Sequence, residues 1–175
     1  MIQPLTQDRT KQYMQELCLI DKEAFGGNAW TAQNFELQIP GKFVLSRIAI
    51  EMSGPVGYLI GSRYARGTAH IHRVAVLVSL RRTGVGAKLL GSFETACLGI
   101  AVTDVTLESL TGRDAANLFY ESMGYSRISG QELVRYLREK GKTADQERYL
   151  GPHSEGQACV YHKMLTARDV RGPES

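Results

Sequence analysis

Cysteine is scarce in this chain. Only Cys18, Cys97 and Cys159 occur among 175 residues, isolated and odd in number. That excludes a disulfide framework and a cysteine-rich zinc site, and it fits reduced thiols in a cytosol. Long apolar runs are missing too. The longest, Val74-Ala75-Val76-Leu77-Val78, falls far short of the ~18 residues of a membrane span, so no membrane partner is expected. The opening MIQPLTQDRT has no basic stretch ahead of an apolar one, so no secretory signal is legible and a cytoplasmic place is expected. Neither sign of charge dominates: 21 basic residues stand against 18 acidic ones, a net +3. The basic residues form short pairs such as Arg81-Arg82 in place of a stripe, which speaks against a nucleic-acid partner. His70, His72, His153 and His162 show no metal-ligand spacing on a helix, so no metal is expected. There is no internal repeat or low-complexity tract. What remains is 43% hydrophobic and 22% charged, ordinary for a globular protein. The length suits a single domain, read here as residues 1–166 with a solvated tail over 167–175.

The periodicities divide the chain in two. Residues 2–5 read as a short strand, and over 9–25 the apolar Tyr13, Leu17, Ile20 and Ala24 fall on one helical face. Gly26-Gly27-Asn28 breaks that helix, and Thr31 is a suitable N-cap for a short helix carrying Phe35 and Leu37. Residues 42–51, 56–62 and 68–78 read as three strands joined by turns at Ser53-Gly54-Pro55 and Arg66-Gly67, an antiparallel meander. The pattern then alternates. A helix opens at Gly84 and places Leu89, Leu90, Phe93, Ala96 and Cys97 on one face, with Cys97 read as core. A strand over 105–109 follows, then a helix over 114–123 closed by Gly124, and a strand over 125–128. Residues 130–142 look helical, and 158–165 read as a last strand. Strands alternating with helices require a partly parallel sheet with helices on both faces.

The most specific feature is Arg81-Arg82-Thr83-Gly84-Val85-Gly86-Ala87, between a strand and an amphipathic helix. Glycines there let backbone N–H groups turn toward one point, and the helix N-terminus adds partial positive charge, so the loop suits a pyrophosphate. Arg81 and Arg82 supply cationic donors. A Rossmann fingerprint does not fit, because Leu89 stands at the third-glycine position, and no Walker loop is present. A tight turn using glycine for geometry alone is the alternative.

At this junction the sequence resembles the GNAT superfamily of acyl-coenzyme A-dependent N-acyltransferases. That family carries Gln/Arg-x-x-Gly-x-Gly/Ala here, matched by Arg81, Gly84 and Gly86. A second match is Ala116-Asn117-Leu118-Phe119-Tyr120-Glu121-Ser122-Met123-Gly124-Tyr125, similar to the family's A-x-x-F/L-Y-x-x-x-G-F/Y element. Within the superfamily the chain looks most like the bacterial ribosomal-protein alanine N-acetyltransferase branch. Ala29-Trp30-Thr31 with Phe35, and Leu107-Glu108-Ser109 with Tyr120 twelve residues past the glutamate, carry that likeness. The chain departs from the branch at Arg113, where the branch has Asn, and in the expanded 130–156 segment. The resemblance implies the GNAT fold: an α/β (α+β) domain with a mixed, mostly antiparallel central sheet, a splayed parallel strand pair, and helices on both faces. It implies acetyl-coenzyme A as co-substrate, with Val74, Ala75 and Val76 pairing with the pantetheine arm. The loop Arg81, Arg82, Thr83, Gly84, Val85, Gly86 and Ala87, with Arg113, makes up the rest of the cofactor-binding set. A monomer or homodimer is expected.

Direct transfer from a thioester to an amine needs a base, oxyanion stabilisation and a proton for the leaving thiolate. Glu108, at a strand end on the face of Thr106, is the candidate base, its alternative being a surface carboxylate. Tyr120 is the candidate acid, its alternative a packed helix tyrosine. Trp30 lines the acceptor mouth or staples the short helix, and Tyr149 lies over the acceptor or is a plain loop residue. A free α-amine, of pKa ~7.7–8.0, is partly neutral where a lysine at ~10.4 is protonated, so a modest carboxylate base suits an α-amine better. The acceptor expected is therefore an amine on a protein N-terminus. A small-molecule amine is the runner-up, and a catalytically silent acyl-coenzyme A-binding module the alternative from another class.

Overall fold

The computed structural model describes residues 1–65, 67–141 and 157–166. Two compact units are distinguished, one of Met1–Thr103 rejoined by Leu165, the other of Asp104–Met164.

The first unit holds an antiparallel sheet of β1 (Ile2–Pro4), β2 (Arg47–Glu51), β3 (Gly54–Ala65) and β4 (Thr68–Val76), paired in that order. Its helices are α1 (Gln7–Gln12), α2 (Met14–Phe25), α3 (Ala32–Glu36), α4 (Lys42–Leu45) and α5 (Val85–Gly99). Ile48, Tyr58, Ile60 and Ala75 present one sheet face to Leu17 and Ile20 of α2 and Phe35 of α3, forming a closed cluster with Leu5. The other face receives α5, whose Leu89, Leu90, Phe93 and Cys97 are fully buried, as its spacing implied. Contact there is so close that a Cβ on Gly61 would stand 2.2 Å from Phe93 Cε2. Residue 61 therefore carries no side chain because a ring occupies its place.

Three local expectations are corrected. The helix over 9–25 is two helices, interrupted at Tyr13, whose φ of −107° and ψ of 22° leave the helical region while its N–H still donates to Arg9 O at 2.9 Å. The strand over 42–51 begins only at Arg47. Gly41, at φ +72°, turns the chain into α4, and the buried Lys42 ammonium is drawn inward to donate to the Phe35 and Leu37 carbonyls. These tertiary bonds override β-propensity. The strand over 68–78 stops at Val76, and Val78–Leu80 is a 3-10 turn. Thr31 is the N-cap of α3 as expected, in a capping box: its side chain accepts from the Asn34 N–H, and its own N–H donates to Asn34 Oδ1 at 2.9 Å.

The second unit is a three-stranded antiparallel sheet in the order β5 (Asp104–Leu110), β7 (Ala158–Met164), β6 (Ser126–Arg127). Its helices are α6 (Asp114–Ser122) and α7 (Gly130–Glu139). Gly124 follows α6 at φ +84°, the left-handed position its sequence called for. The strand over 125–128 shrinks to two residues, since Tyr125 N–H donates back to Tyr120 O and holds it to the helix end. On one sheet face, Leu133, Tyr136 and Leu137 of α7 pack with Ile128, Ala158 and Val160. On the other, β5 Leu107 stands opposite Tyr161 of β7, whose hydroxyl donates to Glu121 of α6 at 3.1 Å. Among the described residues no helix is long and apolar enough to cross a membrane. Tyr149, His153 and the tail over 167–175 lie outside the described residues.

Candidate active site

The glycine loop is built as a cradle within the first unit. After β4 the chain makes the 3-10 turn and passes through Arg81 in extended conformation, Arg82 at φ +64° and Gly84 at φ +87°, where α5 begins. A Cβ on Gly84 would meet nothing within 4 Å, so glycine is needed there for its backbone angle and not for space. Arg82 is a non-glycine residue in the left-handed region, a conformation that recurs at ligand clamps. The turn is pinned by Thr83 Oγ1 donating to Leu80 O at 2.7 Å, Arg81 Nε to Val76 O at 3.3 Å, and Val78 N–H to Glu23 Oε1 at 2.6 Å.

The end of α5 is electrostatically bare. Its first internal bond is Lys88 N–H to Gly84 O at 3.0 Å, so the N–H groups from Gly84 to Ala87 have no intrahelical acceptor. No side chain caps it and no acidic residue stands in its first turn. Arg81, Arg82 and Thr83 beside it are exposed. Unpaired donors, an uncompensated dipole and two guanidinium groups fit a phosphate-bearing ligand. Val74, Ala75 and Val76 lie in β4, in register with Leu59, Tyr58 and Gly57.

Glu108 and Tyr120 belong to the second unit and approach from different faces of its sheet. Glu108 is half-buried on β5 opposite Val160, on the α7 side, and its Oε1 accepts the Tyr136 hydroxyl at 3.1 Å. Tyr120 lies on α6 among aromatic rings, 5.3 Å from Phe119, 6.1 Å from Tyr125 and 6.2 Å from Tyr161, centroid to centroid. Burial pushes its phenol up to about 12, against the pull of the positive Arg113. It therefore keeps its proton at neutral pH. Arg113 is the exposed N-cap residue of α6, and Asn117 of the same helix donates its Nδ2 to Leu110 O at 3.1 Å.

Trp30 satisfies the staple geometry. It precedes the cap Thr31 and its ring meets Phe35 edge-on at 5.5 Å. Its backbone N–H also donates to Asp21 Oδ2, which sequence reasoning missed. Asp21 is fully buried on α2, salt-bridged by Arg73 Nε at 2.8 Å and Nη2 at 2.9 Å, and bonded by the Tyr58 hydroxyl. Burial alone would raise its carboxyl, but the bonds from Arg73, Tyr58 and Trp30 outweigh that and hold it below the usual range. Arg73 lies 3.5 Å over the Phe25 ring and bonds Asn28 O at 2.6 Å, fastening the turn before Trp30 to β4. The signal was present: Asp21 sits in the apolar stripe Leu17, Ile20, Ala24, where a carboxylate needs a buried partner. Tyr136 was missed because it reads as one more apolar residue of an amphipathic helix. His70 and His72 pack edge-on at 4.9 Å, and the described residues contain no group of three potential metal ligands.

A strand that runs through a left-handed glycine into an uncapped helix N-terminus is an arrangement suited to a phosphate group. Residues 43–127 match the model of the acetyltransferase (GNAT) domain, so this stretch of the chain carries a GNAT acetyltransferase domain. Solved structures share the fold at low identity. Ard1 from Thermoplasma volcanium is 19% identical, with a TM-score of 0.69 over 95% of this chain and 97% of that one. The ribosomal-protein-S18-alanine N-acetyltransferase from Escherichia coli is 16% identical, with a TM-score of 0.69 over 100% and 97%. N-acetylglutamate synthase from Neisseria gonorrhoeae, complexed with coenzyme A and N-acetyl-glutamate, is 15% identical, with a TM-score of 0.66 over 95% of this chain and 35% of that one. The search of curated proteins found no match.

Proposed function

We propose that this enzyme moves an acetyl group from acetyl-coenzyme A to a primary amine, and that the amine is the α-amine of a protein N-terminus. The observation that carries the donor side is the bare end of α5 behind Gly84, flanked by Arg81 and Arg82. The N–H groups from Gly84 to Ala87 bind the pyrophosphate, Arg113 adds positive charge, and the β4 backbone at Val74 to Val76 serves the pantetheine arm and the oxyanion. Bound acetyl-coenzyme A supplies an activated thioester carbonyl.

Glu108 takes the proton of the amine, directly or through a water. Tyr120 donates its hydroxyl proton toward the departing sulfur. Amine and sulfur flank the carbonyl carbon, so a base and an acid that come from different sheet faces suit the transfer. With its phenol at about 12 and an ordinary thiol near 8.5, Tyr120 must act on a thiolate that is itself desolvated, since full transfer to a hydrated one runs uphill. Trp30, fixed through Asp21, forms a wall for the acceptor. Residues 1–166 act as one domain in this reading, supported by a family match that runs unbroken from the first unit into the second. The α-amine is favoured because it needs only a modest base. A small amine is the second reading, favoured by α7, which the longer segment before β7 adds and which places Tyr136 against Glu108.

The test is a panel. The protein is incubated with acetyl-coenzyme A and, separately, N-terminal peptides, a lysine side-chain peptide, polyamines and aminoglycosides, and free thiol is measured. Preferred turnover of N-terminal peptides is expected. Turnover confined to small amines refutes the acceptor, and acetyl-coenzyme A binding with no turnover of any amine refutes the enzyme.

A further inference from the structure

We propose that Tyr136 is a positioning residue for Glu108, holding the carboxylate that accepts the amine proton; this rests on the reading of Glu108 as base. Glu108 shares a sheet face with Thr106, Leu110 and, across the ladder, Val160. That face is covered by α7, whose Leu133, Tyr136 and Leu137 recur at i, i+3 and i+4 and bury against Ile128, Ala158 and Val160. The Tyr136 ring is only 7% exposed, so its place is set by packing on both sides.

A phenol buried in an apolar cluster needs a hydrogen-bond partner. This one donates to Glu108 Oε1 at 3.1 Å. A glutamate has three side-chain torsions, and a donor fixed on a packed ring removes much of that freedom. Tyr136 itself touches neither substrate in this reading; it acts through Glu108. It is supplied by the segment in which this chain departs from the compact branch it resembles, so the added helix gives the base a partner within the same unit.

A double-mutant cycle tests the role: wild type, Tyr136→Phe, Glu108→Gln and the double variant, each assayed for kcat and KM with acetyl-coenzyme A and the preferred amine. Tyr136→Phe keeps the ring and the packing and removes one hydroxyl. It should lower kcat about tenfold, equivalent to about 1.4 kcal/mol, with the KM for acetyl-coenzyme A unchanged. In the Glu108→Gln background the same change should alter kcat by less than about twofold, because no base remains to be positioned. Calorimetric affinity for acetyl-coenzyme A, measured for all four proteins, reports an intact fold independently of the chemistry. An equal kcat loss in both backgrounds, or no loss in the wild-type background, overturns the positioning role alone. A Glu108→Gln variant as active as wild type removes the base assignment, and the role of Tyr136 falls with it.

Discussion

Asp21→Asn perturbs the first unit at its most charged buried point. The substitution preserves shape but removes the negative charge and turns one acceptor oxygen into a donor. Four donors converge on the native carboxylate: Arg73 Nε at 2.8 Å, Arg73 Nη2 at 2.9 Å, the Tyr58 hydroxyl and the Trp30 N–H. Asparagine can serve those on one oxygen only, and its amide faces the others donor to donor. Breaking a buried ion pair from one side costs about 3–5 kcal/mol, because the surviving charge is stranded. Arg73 retains its bond to Asn28 O and the Phe25 ring beneath it, and its side chain keeps 14% exposure, so the lower end, about 3 kcal/mol, applies. Against a total of ~5–15 kcal/mol that is a large fraction.

Urea unfolding of both proteins from pH 8 to pH 3 measures the effect. The folded-state pKa of Asp21 lies below its unfolded value, so its stabilisation is complete above about pH 4 and is lost as pH falls through the folded pKa. The gap between wild type and variant should therefore be constant at neutral pH and narrow below about pH 4. Replacing Arg73 by Met in the Asp21→Asn protein should restore part of the loss, since neither charge is then stranded. A loss under about 1 kcal/mol at neutral pH, or a gap that does not narrow in acid, refutes the account.

Two further outcomes concern the chemistry. Gly86→Val adds a branched side chain where the backbone of α5 must approach a pyrophosphate, so acetyl-coenzyme A affinity should fall at least tenfold while the thermal midpoint moves little; unchanged calorimetric affinity removes the cradle reading. Tyr120→Phe removes the proton donor while keeping the ring among Phe119, Tyr125 and Tyr161, so kcat should fall by ~10²-fold or more with acetyl-coenzyme A affinity retained. Turnover within a few-fold of wild type would make Tyr120 a packing residue.

By itself, the sequence determined what local chemistry can determine: most of the elements, the left-handed glycine at 124, Thr31 as the cap of α3, the apolar face of α5, and a glycine loop whose donors are backbone groups next to each other in the chain. Such features depend on residues within a turn or two, so their spacing is legible. It also carried the superfamily, because the two motifs that mark it are contiguous. Tertiary structure decided the rest. Lys42 turned a strand start into a helical turn through bonds to carbonyls five and seven residues back. Asp21 met Arg73 across 52 residues and Tyr136 met Glu108 across 28. No periodicity encodes a partner at that separation. A buried carboxylate or phenol announces only that it needs one, and the choice falls to whichever donor or acceptor the folded sheet brings within about 3 Å.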